Sequence, residues 1–169
     1  KPELMAKAAQ KIQKNAAIID INMGCPVNKI VKSQDGSGLM KNPSLAYDIV
    51  QAVVEAVEKP VSVKFRLGWD ANSKNYIQFG EYMQEAGASM VTMHARTRTQ
   101  MYSGIADWYA IKELKNALDI PVFANGDITS VEKAVECYEL TKCDGIMIGR
   151  GIIGNPDLIY RVEHYFKTG

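Results

Sequence analysis

Cys25 stands in the run Asn22-Met23-Gly24-Cys25-Pro26, directly after a short apolar stretch. A cysteine on a turn shaped by glycine and proline is open to whatever binds beside it. An ordinary free thiol titrates near pH ~8.5, so it is mostly protonated at neutral pH and can serve as a general acid. No obvious histidine or aspartate partner lies nearby in sequence to turn Cys25 into a thiolate nucleophile. Four more apolar stretches end in polar residues that a plain core would not choose. These are Lys64 and Arg66, then His94 and Arg96, then Asn125-Gly126-Asp127, then Gly149-Arg150.

The last two sets read as a place for an anion. Both are glycine-bearing turns that lead into helices, Gly149-Arg150 continuing into Gly151. Glycine lets the backbone come close to a ligand, and free N–H groups at a helix start attract negative charge. Arg150 adds a charged donor suited to phosphate oxygens. The pair therefore points to a phosphorylated ligand.

Helical patterns alternate with the apolar stretches. A helix over about residues 2–15 is followed by a strand over about 18–22. A helix over about 43–58 follows, with Asn42 as N-cap, Pro43 at its first position, and Leu45, Ile49, Val53 and Val57 as one buried stripe. The next strand spans about 60–65, and a helix over about 74–86 ends at Gly87. Residues 90–93 form a strand, and Asp107 caps a helix carrying Trp108, Ile111 and Leu114. A strand over 121–124 leads to a helix whose capping box is Thr129 and Glu132. A strand over 144–148 and a helix from Asn155 and Pro156 close the pattern. The segment from Val27 to Lys41 reads as a mobile, mildly basic loop.

Five strands alternating with helices imply an α/β fold with a parallel sheet. The near-continuous apolar character of the strands suits burial on both faces. In such an array all the polar strand ends lie on one face, which in a (β/α)8 barrel carries the active site.

Composition sets few limits. The chain has 169 residues, is 47% hydrophobic and 23% charged, and carries a net charge of +1. Any contact with nucleic acid must therefore use local clusters of charge. Three cysteines, Cys25, Cys137 and Cys143, make a poor disulfide framework and fit a reducing cytoplasm. His94 and His164 lie far apart and no CxxC occurs, so no metal site is expected. No apolar run approaches the length of a membrane span, and no signal peptide is visible.

The segment Ile19-Asp20-Ile21-Asn22-Met23-Gly24-Cys25-Pro26 resembles the signature of tRNA-dihydrouridine synthases of the bacterial type. Val63-Lys64-Phe65-Arg66-Leu67-Gly68-Trp69 looks like that family's lysine strand, and His94-Ala95-Arg96-Thr97-Arg98 like its histidine strand. Tyr102 to Trp108 looks like the turn that follows, and the turns at Asn125-Gly126-Asp127 and Gly149-Arg150 like its two FMN-phosphate motifs.

The resemblance implies flavin-dependent reduction of uridine to dihydrouridine in tRNA, with FMN as cofactor and NADPH as reductant. It implies that Cys25 is the proton donor and that Lys64, His94, Asn125, Gly126, Asp127, Gly149 and Arg150 hold FMN. Asp127 is acidic, so its backbone N–H is expected to face the phosphate. Asn22 and Arg66 would face the uracil or its phosphate, and Arg96 and Arg98 the tRNA backbone. It also implies a partial barrel, the last five βα units of eight. The first strands would precede Lys1, and a helical tRNA-binding domain would follow Gly169. Two other readings stay open: a flavin barrel acting on a free pyrimidine, as dihydroorotate dehydrogenases do, and a non-catalytic fragment that self-associates through exposed sheet edges.

Overall fold

The computed structural model describes residues 1–169. Five strands, β1 (Ile19–Asn22), β2 (Val61–Arg66), β3 (Met90–His94), β4 (Val122–Asn125) and β5 (Gly145–Met147), form one sheet in the order β1-β2-β3-β4-β5. Every neighbouring pair is parallel. The helices are α1 (Pro2–Ile12), α2 (Asn28–Lys32), α3 (Pro43–Ala56), α4 (Tyr76–Glu85), α5 (Trp108–Ala117), α6 (Val131–Thr141) and α7 (Leu158–Thr168). Sequential parallel strands joined through helices are an arc of a (β/α)8 barrel.

The helix ends follow from local chemistry. Asn42 Oδ1 accepts from the Leu45 N–H and Pro43 opens α3. Asp107 accepts from the Ala110 N–H at the start of α5. Gly87 follows α4 with φ +94°, a conformation that would strain a larger residue. Two expectations need correction. The cap of α6 is Ser130, which accepts from the Lys133 N–H, one residue beyond Thr129. The segment 27–41 is no simple loop: it holds α2 and a 3-10 turn over Gly36–Lys41, whose first five residues are buried.

The register sorts the side chains into two faces. Ile21, Val63 and Val91 share one face, as do Phe65, Met93 and Ala124, and all six are buried in the core. The other face carries Asn22, Lys64, Thr92, Phe123 and Gly145 in one row. Arg66, His94, Asn125 and Met147 form the next row toward the C-terminal ends. In β1 to β3 apolar residues thus alternate with polar ones, whereas β4 is apolar up to Asn125 and β5 throughout.

Both outer strands leave an edge unpaired, since β1 pairs only with β2 and β5 only with β4. Beside β5 lies an open groove of about 580 Å³ lined by Ile146, Ile148, Val162 and Phe166 among others. Ile159, which also lines the groove, is 52% exposed. An unpaired strand flanked by exposed apolar side chains is a template for association. The isolated 169-residue chain is expected to self-associate as concentration rises. Size-exclusion chromatography with light scattering tests this, and a monomer at every concentration would count against it.

Candidate active site at the C-terminal strand ends

The two inward rows and the loops above them enclose a cavity of about 580 Å³, a size suited to a cofactor. Ten of the twelve residues singled out from sequence line it. Asn22 and Cys25 stand at the β1 end, Lys64 and Arg66 at β2, and His94 at β3. Asn125, Gly126 and Asp127 follow β4, and Gly149 and Arg150 follow β5. Arg96 and Arg98 are not among the lining residues.

Arg96 is 2% exposed and turned into the protein. It donates to the carbonyls of Ser103 (3.0 Å) and Gly104 (2.6 Å) and pairs with the Asp127 carboxylate at 2.7 Å. A guanidinium so enclosed has no surface to offer a nucleic-acid backbone. Arg98 donates to Asn28 Oδ1 and stacks 4.7 Å from the centre of the Trp69 ring. It is half-buried and joins the Cys25 loop to the loop after β3.

Arg66 is also 2% exposed, yet it reaches the cavity. Its Nε donates to the Gly24 carbonyl at 2.8 Å, and its Nη1 donates to the carbonyls of Thr97 and Met101. Asn22 Oδ1 accepts from the Gly24 N–H at 3.0 Å, so part of its polar capacity is spent locally. The Asp127 carboxylate accepts from the Ala106 N–H at 2.7 Å as well as from Arg96. Burial works to raise its pKa, but these partners and Arg150 hold it below the ordinary carboxylate value.

Two turns present free donors. The N–H groups of Gly126, Asp127 and Gly149 bond to no acceptor within the protein. The first turn is pinned from behind: Asn125 Nδ2 donates to the Met147 carbonyl at 2.7 Å and Trp108 Nε1 to the Gly126 carbonyl at 3.0 Å. Gly126 has φ +123°, and a Cβ there would lie 2.8 Å from Ala106 Cβ and 3.2 Å from the His94 ring. At Gly149 nothing lies within 4 Å of a Cβ position, so the backbone faces open space.

The cavity is electropositive. Burial, reinforced by Arg66 and opposed by Asp20, lowers the Lys64 pKa to about 8. Its ammonium makes no hydrogen bond to the protein. Burial first, then Arg66, Lys64, Arg96 and Arg150, push His94 down to about 3, so its ring is neutral at physiological pH. Unpaired N–H groups, an unpaired ammonium and a single carboxylate already committed to Arg96 suit an anionic ligand. Their chemistry suits a phosphorylated group.

Tyr102 also lines the cavity and was not singled out as a site residue. Its ring centre lies 4.7 Å from the Arg150 guanidinium, 5.7 Å from that of Arg66 and 6.3 Å from the His94 ring. No helical or strand periodicity marks it. No group of three His, Cys, Asp or Glu side chains is placed to hold a metal ion.

A parallel βα array with a thiol, a lysine and unpaired N–H donors gathered at its strand ends defines a barrel-type protein with an electropositive pocket. The family model described as "Dihydrouridine synthase (Dus)" matches residues 1–169, and the chain belongs to that family. It is 53% identical over 170 residues to "Probable tRNA-dihydrouridine synthase 1" of Synechocystis sp., covering 100% of this chain and 48% of that protein. It is 47% identical to "tRNA-dihydrouridine synthase B" of Shewanella oneidensis, covering 99% of this chain and 52% of that one. The chain thus spans about half the length of the curated relatives it matches. Among solved structures, D-glucarate dehydratase from Agrobacterium tumefaciens superposes with a TM-score of 0.69 at 17% identity, covering 97% of this chain and 39% of that chain. A dipeptide epimerase from Enterococcus faecalis gives 0.68 at 15% identity, covering 99% and 41%. These two likenesses concern the fold alone.

The His94 environment sets a pH dependence. An ordinary histidine titrates near 6.5, and in the fold His94 is held down to about 3. Above the ordinary value both folded and unfolded states are neutral there, so His94 leaves stability unchanged. As pH falls toward about 3, the unfolded chain takes up a proton that the fold refuses, and stability drops through that window. His94→Gln is expected to flatten this part of the stability curve. Urea unfolding midpoints of both proteins between neutral and mildly acid pH test it. Parallel curves would show that His94 is not the group responsible.

Proposed function

We propose that this chain is the C-terminal part of the catalytic barrel of a tRNA-dihydrouridine synthase, which reduces uridine to 5,6-dihydrouridine in tRNA with FMN and NADPH. The observation that carries the reading is that Cys25 lines the same electropositive cavity as the glycine turns at Gly126 and Gly149. Membership of the dihydrouridine synthase family and the names of the relatives support it. In this reading the remaining strands and a helical tRNA-binding domain lie outside the 169 residues, and the enzyme works in the cytoplasm. No helix is long and apolar enough to cross a membrane.

The residues divide the work. The N–H groups of Gly126, Asp127 and Gly149, with Arg150, bind the FMN phosphate. Lys64 and neutral His94 would hold the flavin ring. The chemistry that bound flavin supplies is hydride transfer to C6 of the uracil. Cys25 donates its thiol proton to C5, completing the reduction across the double bond. Asn22 Nδ2 and the uncommitted Nη2 of Arg66 face the uracil or its phosphate. A base stacked in RNA must leave its stack to enter such a cavity. Arg98, tied to Asn28 and Trp69, orders the rim that meets the tRNA, and Arg96 acts from inside.

Free uracil and dihydroorotate, offered beside a tRNA transcript, distinguish this reading from that of a flavin barrel acting on a free pyrimidine. In the full-length enzyme, Cys25→Ala is expected to keep FMN reduction by NADPH and to lose about 10²–10⁴-fold in uridine reduction. Separate measurement of the two half-reactions decides the matter. An unchanged rate of uridine reduction would remove Cys25 from the mechanism.

A further inference from the structure

The two peptide units beside the Cys25 side chain are held by different parts of the chain. The Gly24 carbonyl accepts from Arg66 Nε at 2.8 Å. The Cys25 carbonyl accepts twice from one residue, from the Ser37 N–H at 3.0 Å and from the Ser37 Oγ at 2.8 Å. Ser37 lies 12 residues further on and is fully buried, at 0% exposure. Between them, residues 27–35 are exposed except for half-buried Val31. Arg66 and Ser37 thus fix the Cys25 backbone from two sides, while most of the intervening segment lies in solvent.

The turn that presents Ser37 is built around that contact. Gly36 has φ +55°, and a Cβ there would lie 2.8 Å from the Cys25 carbonyl oxygen and 3.0 Å from Cys25 Cβ. A side chain at this position would push on the carbonyl that Ser37 holds. Gly36 and Ser37 therefore form one clasp: the first leaves room and the second bonds. A buried hydroxyl that spends its proton on the carbonyl of a reactive residue does more than fill a core.

We propose that Ser37 is a positioning residue for Cys25, holding its backbone so that the residue stays in the cavity wall. The inference rests on the reading of Cys25 as proton donor. A general acid works only within hydrogen-bond reach of the atom it protonates, and a drift of about 1 Å can cost about 100-fold in rate. The clasp limits such drift without touching substrate or cofactor.

The test uses the full-length enzyme with Ser37→Ala, Gly36→Ala and Cys25→Ala. Four quantities are measured: kcat and KM for uridine reduction in a tRNA transcript, the rate of FMN reduction by NADPH, and the alkylation rate of Cys25 by iodoacetamide. Peptide mass spectrometry assigns the alkylation. Cys137 and Cys143, at 0% and 2% exposure, serve as internal controls for the fold. Ser37→Ala is expected to lower kcat about tenfold, with KM and FMN reduction within about twofold of normal, and to speed Cys25 alkylation about threefold. Gly36→Ala should give the same split with a larger size.

Unchanged kcat and unchanged alkylation in both clasp variants would overturn the proposal. So would equal losses in the two half-reactions, or new reactivity at Cys137 and Cys143, since either marks a general loosening. If Cys25→Ala retains uridine turnover, the proton-donor reading fails. The alkylation rates then decide alone whether Ser37 holds Cys25.

Discussion

Two guanidinium groups are buried at the C-terminal ends of neighbouring strands, and the architecture of the site follows from the need to satisfy them. Removing a charge from water costs several kcal/mol in a real protein, whereas a hydrogen bond to a charged group returns about 1.5–3 kcal/mol. One partner is not enough. Arg66 finds three backbone carbonyls, in the Cys25 loop and in the turn after β3. Arg96 finds two carbonyls and the Asp127 carboxylate, which ties that turn to the loop after β4. Segments far apart in sequence are thereby fixed to one another at the site, with charge as the fastening.

The same choice sets the electrostatics of the cavity. Burial, reinforced by Arg66, keeps His94 neutral and lowers the affinity of Lys64 for its proton. Asp127 is the acidic residue lining the cavity, and its charge is drawn toward Arg96. The surplus is positive, and it faces turns whose N–H groups are unpaired. The site is thus predisposed to an anion before any ligand arrives, and a neutral ring such as His94 is tolerated only because it is shielded from protonation.

Much of this was legible in the sequence. Strand and helix order, the caps at Asn42 and Asp107 and the positive-φ Gly87 are local features, and local chemistry reveals them. The gathering of Asn22, Cys25, Lys64, His94, Asn125 and Gly149 followed from one rule, that parallel strands share an end. What escaped depends on contacts across loops. Arg96 sits two residues past His94 and reads like a surface arginine, but it points inward because Asp127 and two carbonyls wait there. Tyr102 carries no periodic signature. The segment from Val27 to Lys41 looked like a plain loop because its polar content hides the buried turn at Gly36–Met40. The strands read as nearly continuous apolar runs, although Asp20, Ser62, Lys64 and Thr92 break the runs of β1 to β3.

The chain has two tryptophans, and each is wired to a different half of the site. Trp108 is largely buried and donates to the carbonyl of Gly126, in the turn whose N–H groups are unpaired. Trp69 lies beside the Cys25 half, with the Lys41 ammonium 3.7 Å from its ring centre and the Arg98 guanidinium 4.7 Å away. Indole emission responds to nearby charge and to hydrogen bonding, so the two residues form a pair of optical probes already placed by the fold. Light from Trp108 reports on the glycine-turn side and light from Trp69 on the thiol side. The protein thereby carries its own means of telling which half of the pocket orders first.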